Sequence, residues 1–378
     1  MAFKCVCQPN NYRCEGRAAL PASGAKVHQN LCVNVTFGIA RVFFGVVAMS
    51  QKPKVIVSAT LPADLRDKLA ARCDIVDVPV GTAPNEAIPE NERDAIVGMV
   101  CTMRTKVNDA LFEQFPNLRV SSNFAVGFDN VDLDAANKRG VLICNTPGVL
   151  DGAVADVTIG LMLCLSRNLV AGDAFVRSGA WTKGAFPMTR DIRGKTLGLL
   201  GMGRIGRVVA RAARAFDMDV IYHNRSHDKD AEAQGLASYV TRDALFERSD
   251  VLSVHIPLSA ETRHSVGARE IGLMKPSAYL INTARGPVID EAALIDALKT
   301  NKIAGAGLDV MEQEPLPASS PLCTLPNVVL QAHVGSGTHE TRRAMIDLAV
   351  NNLLDAVTGT APKAMVNPDV WRTPAQAH

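Results

Sequence analysis

Thr196-Leu197-Gly198-Leu199-Leu200-Gly201-Met202-Gly203-Arg204-Ile205-Gly206 is the stretch on which the reading of this chain turns. An apolar, strand-like run enters a G-x-G-x-x-G turn, and residues 207–216 continue as a helix. In that context Gly201 permits a tight turn and Gly203 lets a pyrophosphate approach the backbone. Gly206 lets helix and strand pack closely, and the helix N-terminus attracts the anion. The next apolar run, Val220-Ile221-Tyr222-His223, ends in Asn224-Arg225-Ser226, where a carboxylate would receive the ribose hydroxyls of NAD. Asp228 comes too late for that role, whereas Arg225 and the Ser226 hydroxyl can hold a 2′-phosphate through charge-assisted hydrogen bonds. NADP (NADPH) is therefore expected as cofactor, with NAD the weaker alternative.

Short β-branched runs alternate with helical segments on both sides of this loop, the mark of parallel sheets with crossover helices. Upstream strands are expected at residues 55–58, 75–78, 95–100, 118–121 and 141–144. Leu65 and Leu69 share one helical face, Asn108 is placed to cap a helix over 109–115, and Gly140 closes another. Residues 153–176 read as one long helix, with Val157, Leu161, Leu165 and Leu169 four apart. Downstream strands are expected at 196–200, 220–223, 238–240, 251–255, 278–282, 305–310 and 328–331, before a helical stretch at 338–357. The fold class is α/β, with two doubly wound, Rossmann-like parallel-sheet domains. A dinucleotide-binding domain at 149–333 is inserted into a split substrate-binding domain at 49–148 and 334–378.

Residues 1–48 do not share this regularity and read as a poorly structured upstream extension. They hold four of the nine cysteines, an odd total without a repeated C-x-x-C, so neither a disulfide framework nor a zinc ribbon is indicated and no metal is expected. Forty Lys+Arg against 38 Asp+Glu leave a net charge of +2, which disfavours a nucleic-acid-binding surface. The apolar run at 31–48 carries Asn34, Thr36 and Arg41 and does not suit a membrane helix.

Three further segments end downstream strands at the edge where open α/β sheets bind ligands: Asn282-Thr283-Ala284-Arg285-Gly286, Asp309-Val310-Met311-Glu312-Gln313-Glu314-Pro315 and Ala332-His333-Val334-Gly335-Ser336. Arginine, carboxylate and histidine are what a carbonyl reduction needs. A guanidinium binds a 2-keto acid's carboxylate and polarises its carbonyl. An imidazolium donates the proton, and a carboxylate beside it orients the ring and favours its charged form. Spacing alone leaves Glu312 and Glu314 as competing partners for the histidine.

From about Lys54 to Asn367 the chain resembles the D-isomer-specific 2-hydroxyacid dehydrogenases, most closely the glyoxylate/hydroxypyruvate reductases among them. The resemblance is carried by Val126-Gly127-Phe128-Asp129-Asn130-Val131-Asp132, Asn145-Thr146-Pro147-Gly148-Val149-Leu150, the glycine loop, Asn282-Thr283-Ala284-Arg285-Gly286-Pro287, Gly307-Leu308-Asp309-Val310, Glu314-Pro315 and His333-Val334-Gly335-Ser336. It implies Arg285 as the substrate-binding and polarising residue, Glu314 as the partner carboxylate and His333 as acid/base. It also implies that backbone N–H groups near Val126 and Gly127 hold the substrate carboxylate. The cofactor set it implies comprises Gly201, Gly203, Arg204, Ile205, Gly206, Asn224, Arg225, Ser226, His255, Pro257, Thr283, Ala284, Arg285, Asp309, His333 and Gly335. Within that set Asp309 would contact the nicotinamide amide.

The activity implied is NADPH-dependent reduction of glyoxylate and hydroxypyruvate to glycolate and D-glycerate, in a homodimer. A cytoplasmic location is expected from the lack of a convincing signal, with no membrane or nucleic-acid partner. The alternatives are another D-2-hydroxyacid dehydrogenase, such as phosphoglycerate dehydrogenase, or a cofactor-sensing, corepressor-like binding protein. The apolar block at 154–169 is either the dimer contact or a helix buried within one chain. The C-terminal Ala375-Gln376-Ala377-His378 is not a peroxisomal tripeptide.

Overall fold

The computed structural model describes residues 52–371; the expectations for residues 1–48 and for the last residues of the chain lie outside them. Five strands, β1 (Lys54–Val57), β2 (Asp74–Asp77), β3 (Ile96–Cys101), β4 (Val120–Asn123) and β5 (Leu142–Cys144), form a first sheet in the order β2-β1-β3-β4-β5. Seven more, β6 (Thr196–Leu200), β7 (Asp219–His223), β8 (Ser238–Tyr239), β9 (Val251–Val254), β10 (Tyr279–Asn282), β11 (Gly305–Leu308) and β12 (Val328–Leu330), form a second in the order β12-β11-β10-β9-β6-β7-β8. Every pairing within the two sheets is parallel. Strands covered on both faces must be apolar throughout, and Val55, Ile56 and Val57, like Leu197, Leu199 and Leu200, are buried accordingly. In the second sheet the strand order reverses between β6 and β9. Their carboxyl ends, at Gly201 and His255, therefore flank the crevice where such sheets bind ligands.

The helix His339–Val357 returns to the first sheet. Ile346, Ala349, Val350 and Leu353 pack with Val55, Val57, Val100 and Val120, and the Ser122 hydroxyl donates to the Ala349 carbonyl at 2.8 Å. Gly98 makes room for this contact, since a β-carbon there would lie 2.6 Å from Leu353 Cδ1. Truncating Leu353, which is fully buried, to alanine should cost about 2–5 kcal/mol in chemical denaturation. A loss below about 1 kcal/mol would mean that the helix does not carry this core.

Local capping follows the sequence. Asn108 Oδ1 accepts from Leu111 N–H at 3.2 Å, Asp132 caps Leu133–Arg139, and Gly140 ends that helix at φ 70°. Strand β4 begins two residues later than expected because Pro116 and Asn117 form a turn closed by Leu118 N–H on Phe115 O.

The long helix expected at 153–176 is in fact two, Asp151–Ser166 and Leu169–Arg177, bent by 59°. Asn168 sits between them in the left-handed region at φ 49°, which asparagine tolerates better than most residues. The first helix is the buried one. Leu161 and Leu165 pack in the core of their own chain against β11, where Gly305 and Gly307 leave space for them. Beyond the bend, Leu169, Val170, Val176 and Trp181 are exposed apolar side chains. Among the described residues no single helix is long and apolar enough to cross a membrane.

Candidate active site

The glycine loop has three separate steric requirements. Gly201 adopts φ 107°, and a β-carbon on it would lie 2.8 Å from the His255 carbonyl carbon and oxygen. On Gly206 a β-carbon would lie 2.4 Å from Gly201 O, while Gly203 is exposed and faces open space. The helix Arg204–Ala215 starts there, and the N–H groups of such a first turn favour an anion like a dinucleotide's pyrophosphate. Asn224 braces the turn from the end of β7, its Oδ1 accepting from Met202 N–H at 2.6 Å. Ile205 joins Phe124, Val126, Val149, Leu150, Val154 and Met345 in one apolar cluster, which brings the glycine loop to the segment following β4.

Beyond Asn224, Arg225 and Ser226 are exposed, and Arg225 has no ion-pair partner among the described residues. Asp228, the first carboxylate after Arg225, is committed elsewhere. It caps the helix Lys229–Ala233 and pairs with Arg207 at 2.6 Å, with 7% of its side chain exposed. His255 Nε2 bonds to Ser253 Oγ at 2.9 Å, and burial pushes the ring down to about 4, so it is neutral near pH 7. Pro257 is exposed, and its carbonyl accepts from the Thr262 hydroxyl at 2.6 Å.

After β10 the chain turns through Asn282, whose side chain accepts from Ala284 N–H and donates to Arg285 O at 3.0 and 2.9 Å. Thr283 is buried, its hydroxyl 3.0 Å from that of Thr158. Arg285 extends toward the first sheet: Nε donates to Asp129 Oδ1 at 3.1 Å and Nη1 to Ala284 O at 2.8 Å. Nη2 lies 1.8 Å from where a β-carbon of Gly127 would be, so the guanidinium rests directly on the Val126–Gly127 backbone. Gly286 packs as closely on the Met311–Glu312 peptide, placing the arginine segment against the glutamate segment.

That glutamate segment answers the choice left open by spacing. Glu314 Oε2 meets His333 Nδ1 at 2.7 Å, and Oε1 accepts from Met311 N–H at 3.0 Å. Glu312 turns away to His264 Nε2 at 2.7 Å and to Arg263. Burial pushes the Glu314 carboxyl up. The His333 hydrogen bond and charge, the Met311 N–H and Arg285 outweigh it and hold the group below its ordinary value. An ionised carboxylate only accepts, so Nδ1 of His333 carries a proton and Nε2 is the ring nitrogen left for other partners.

His333 stands at φ 54° in a turn built by Asp309. The Asp309 carbonyl accepts from His333 N–H at 2.9 Å, and its carboxylate oxygens accept from Val334 and Gly335 N–H at 2.7 and 2.8 Å. Asp309 is 1% exposed, and burial, opposed by those two N–H groups, raises its pKa. What this carboxylate does in the fold is shape the histidine turn.

Four residues with no role assigned from sequence complete the site. Asn123, Asn145 and Thr146 hold the segment after β4 in place, and Asp129 pairs with Arg285. The signal available for Asn123 was an amide side chain ending the run Val120-Ser121-Ser122-Asn123, all four of which are buried.

Comparison with known proteins places the chain in a family. Residues 159–335 match the family described as D-isomer specific 2-hydroxyacid dehydrogenase, NAD binding domain. A glyoxylate reductase of Thermococcus litoralis is 42% identical over 84% of this chain and 98% of its own length. Glyoxylate/hydroxypyruvate reductase B of Salmonella typhi is 44% identical, with 84% of this chain and 98% of the relative covered. Among solved structures, an NADPH-dependent glyoxylate/hydroxypyruvate reductase from Sinorhizobium meliloti, in complex with NADP and malonate, superposes with a TM-score of 0.77. It is 36% identical, over 85% of this chain and 99% of that one. With Arg285, Glu314 and His333 gathered at the carboxyl edge of a dinucleotide-binding sheet, and with relatives this similar along nearly their whole length, the chain belongs to the D-isomer specific 2-hydroxyacid dehydrogenase family.

Proposed function

We propose that this protein reduces glyoxylate and hydroxypyruvate to glycolate and D-glycerate, with NADPH as the preferred donor. The observation that carries the reading is the 2.7 Å His333–Glu314 pair in the same site as an arginine seated on Gly127. The glycine loop with Gly201, Gly203 and Gly206 would hold the pyrophosphate, and Arg225 with Ser226 the 2′-phosphate. When bound, the nicotinamide supplies the hydride that reaches the 2-keto carbon.

The chain's own residues do the rest. Arg285 binds the substrate carboxylate and polarises the carbonyl, with Asp129 steadying the guanidinium. His333 carries a proton on Nε2 and gives it to the carbonyl oxygen as that oxygen gains charge. Glu314 holds the ring by Nδ1 and stabilises the imidazolium, and Asp309 fixes the turn from which the ring projects. A homodimer that covers Leu169, Val170, Val176 and Trp181 is the assembly we propose, to be checked by sedimentation.

Initial rates with glyoxylate, hydroxypyruvate and pyruvate, each with NADPH and NADH, test the substrate and cofactor together. Fast NADPH-dependent reduction of the first two is expected; negligible turnover with every pair, in a chain that binds NADPH, would instead support a cofactor-sensing protein. The 2′-phosphate assignment has its own check in Arg225→Ala. Loss of one charge-assisted contact should lower the NADPH-to-NADH ratio of kcat/KM by about tenfold. An unchanged ratio would remove Arg225 from that subsite.

A further inference from the structure

Three consecutive carbonyls in the segment after β4 are held by donors from within the first sheet's own residues. Ala125 O accepts from Thr146 N–H at 2.9 Å, Val126 O from Asn145 Nδ2 at 2.8 Å and Gly127 O from Asn123 Nδ2 at 2.9 Å. In a trans peptide the carbonyl of one residue and the N–H of the next point in opposite directions. The N–H groups of Val126, Gly127 and Phe128 therefore face away from these three partners, and none of them donates to a protein acceptor among the described residues. Successive free N–H groups of this kind make an anion-binding concavity, and here the Arg285 guanidinium lies against its central residue.

We infer that Asn123 and Asn145 are positioning residues for carboxylate recognition: by pinning the Val126 and Gly127 carbonyls they turn the N–H groups of the next residues, Gly127 and Phe128, toward the substrate. This rests on the reading of the site as one for a 2-keto acid. The side-chain type matters, because an amide NH2 donates to a carbonyl while remaining uncharged, whereas the isosteric aspartate, when ionised, only accepts. Asn123 is fully buried and its Nδ2 also meets Asn130 Oδ1 at 3.0 Å and Met103 Sδ at 3.4 Å. Asn130 in turn donates to Thr105 O at 2.9 Å, so the first brace is shared across several turns. Asn145 is only partly buried and its Nδ2 serves the Val126 carbonyl at 2.8 Å, which makes it the residue to vary without endangering the fold.

The experiment uses the full chain carrying Asn145→Ala or Asn145→Asp, saturated with NADPH and titrated with oxamate. Oxamate is a carboxylate with an amide in place of the aldehyde of glyoxylate. Asn145→Ala should weaken oxamate binding and raise the glyoxylate KM by about tenfold, with kcat within about threefold of wild type, the pattern of lost ground-state binding. NADPH affinity should not move. Asn145→Asp should be the weaker binder of the two, because its carboxylate oxygens repel the Val126 carbonyl instead of holding it. Oxamate binding that is unchanged in both variants overturns the inference, as does a parallel fall in kcat, NADPH affinity and oxamate affinity, which is what general loosening would give. If the wild-type chain itself does not bind oxamate, the keto-acid reading falls and this inference falls with it.

Discussion

His333→Ala is expected to lower kcat for glyoxylate by about 10²–10⁴-fold, the range associated with removing a general acid. The ring nitrogen available for proton transfer is Nε2, since Nδ1 is held by Glu314 at 2.7 Å. Glu312 is not free to replace it, because it is engaged by His264 and Arg263. NADPH affinity should stay near the wild-type value, for the glycine loop and the end of β7 are built by residues that do not lean on the imidazole. The φ of 54° at this position calls for a second variant. Asparagine tolerates the left-handed region, so His333→Asn keeps the turn that Asp309 shapes while removing the acid. Stopped-flow or steady-state rates for both variants, beside NADPH titrations, provide the check. Turnover retained in either, or cofactor binding lost with turnover intact, would contradict the role given to His333.

The second large effect is expected from one added methyl group. In Gly127→Ala the new β-carbon would lie 1.8 Å from Arg285 Nη2. The atom it meets is the far end of a flexible side chain, so the guanidinium swings aside and the backbone does not have to shift. Stability should change little, whereas kcat/KM for glyoxylate should fall about 10²-fold, the scale associated with an angstrom of misplacement in a catalytic group. The same substitution at Gly286 has a different character, since there the 1.8 Å contact is with the Met311 carbonyl and main chain cannot move away. Thermal unfolding run beside the kinetics separates the two cases. Wild-type activity in Gly127→Ala would show that the position of Arg285 in this structure is not the one that catalysis uses.

Much of this was legible before any coordinates. The strand–turn–helix around Gly201, Gly203 and Gly206 announces itself because steric needs at each glycine are local: a positive φ, an open face, a close approach. The cap at Asn108 is equally short-range, its side chain reaching the Leu111 N–H three residues on. The alternation that gives two parallel sheets reflects burial on both faces of every central strand.

What sequence left open concerns direction and partners. The apolar spacing runs on through Leu169, so nothing in periodicity marks the bend at Asn168; the chain turns there because the first helix is packed against β11 and the second is not. Whether Glu312 or Glu314 meets His333 depends on which way a turn of a few residues aims each carboxylate, and that is set by Met311 N–H on one side and His264 on the other. Asp228, read from sequence as too late to receive the ribose, is held by Arg207 and by a helix N-terminus, partners that sequence did not name.

Sequence by itself determined the α/β class, the dinucleotide loop and the residue types for carbonyl reduction, because those follow from backbone sterics and burial over a few residues. Only the tertiary structure decided that Arg285 reaches Asp129, 156 residues away, and rests on Gly127, because that meeting depends on how the edges of two sheets face each other and on asparagines that turn a loop's amides outward.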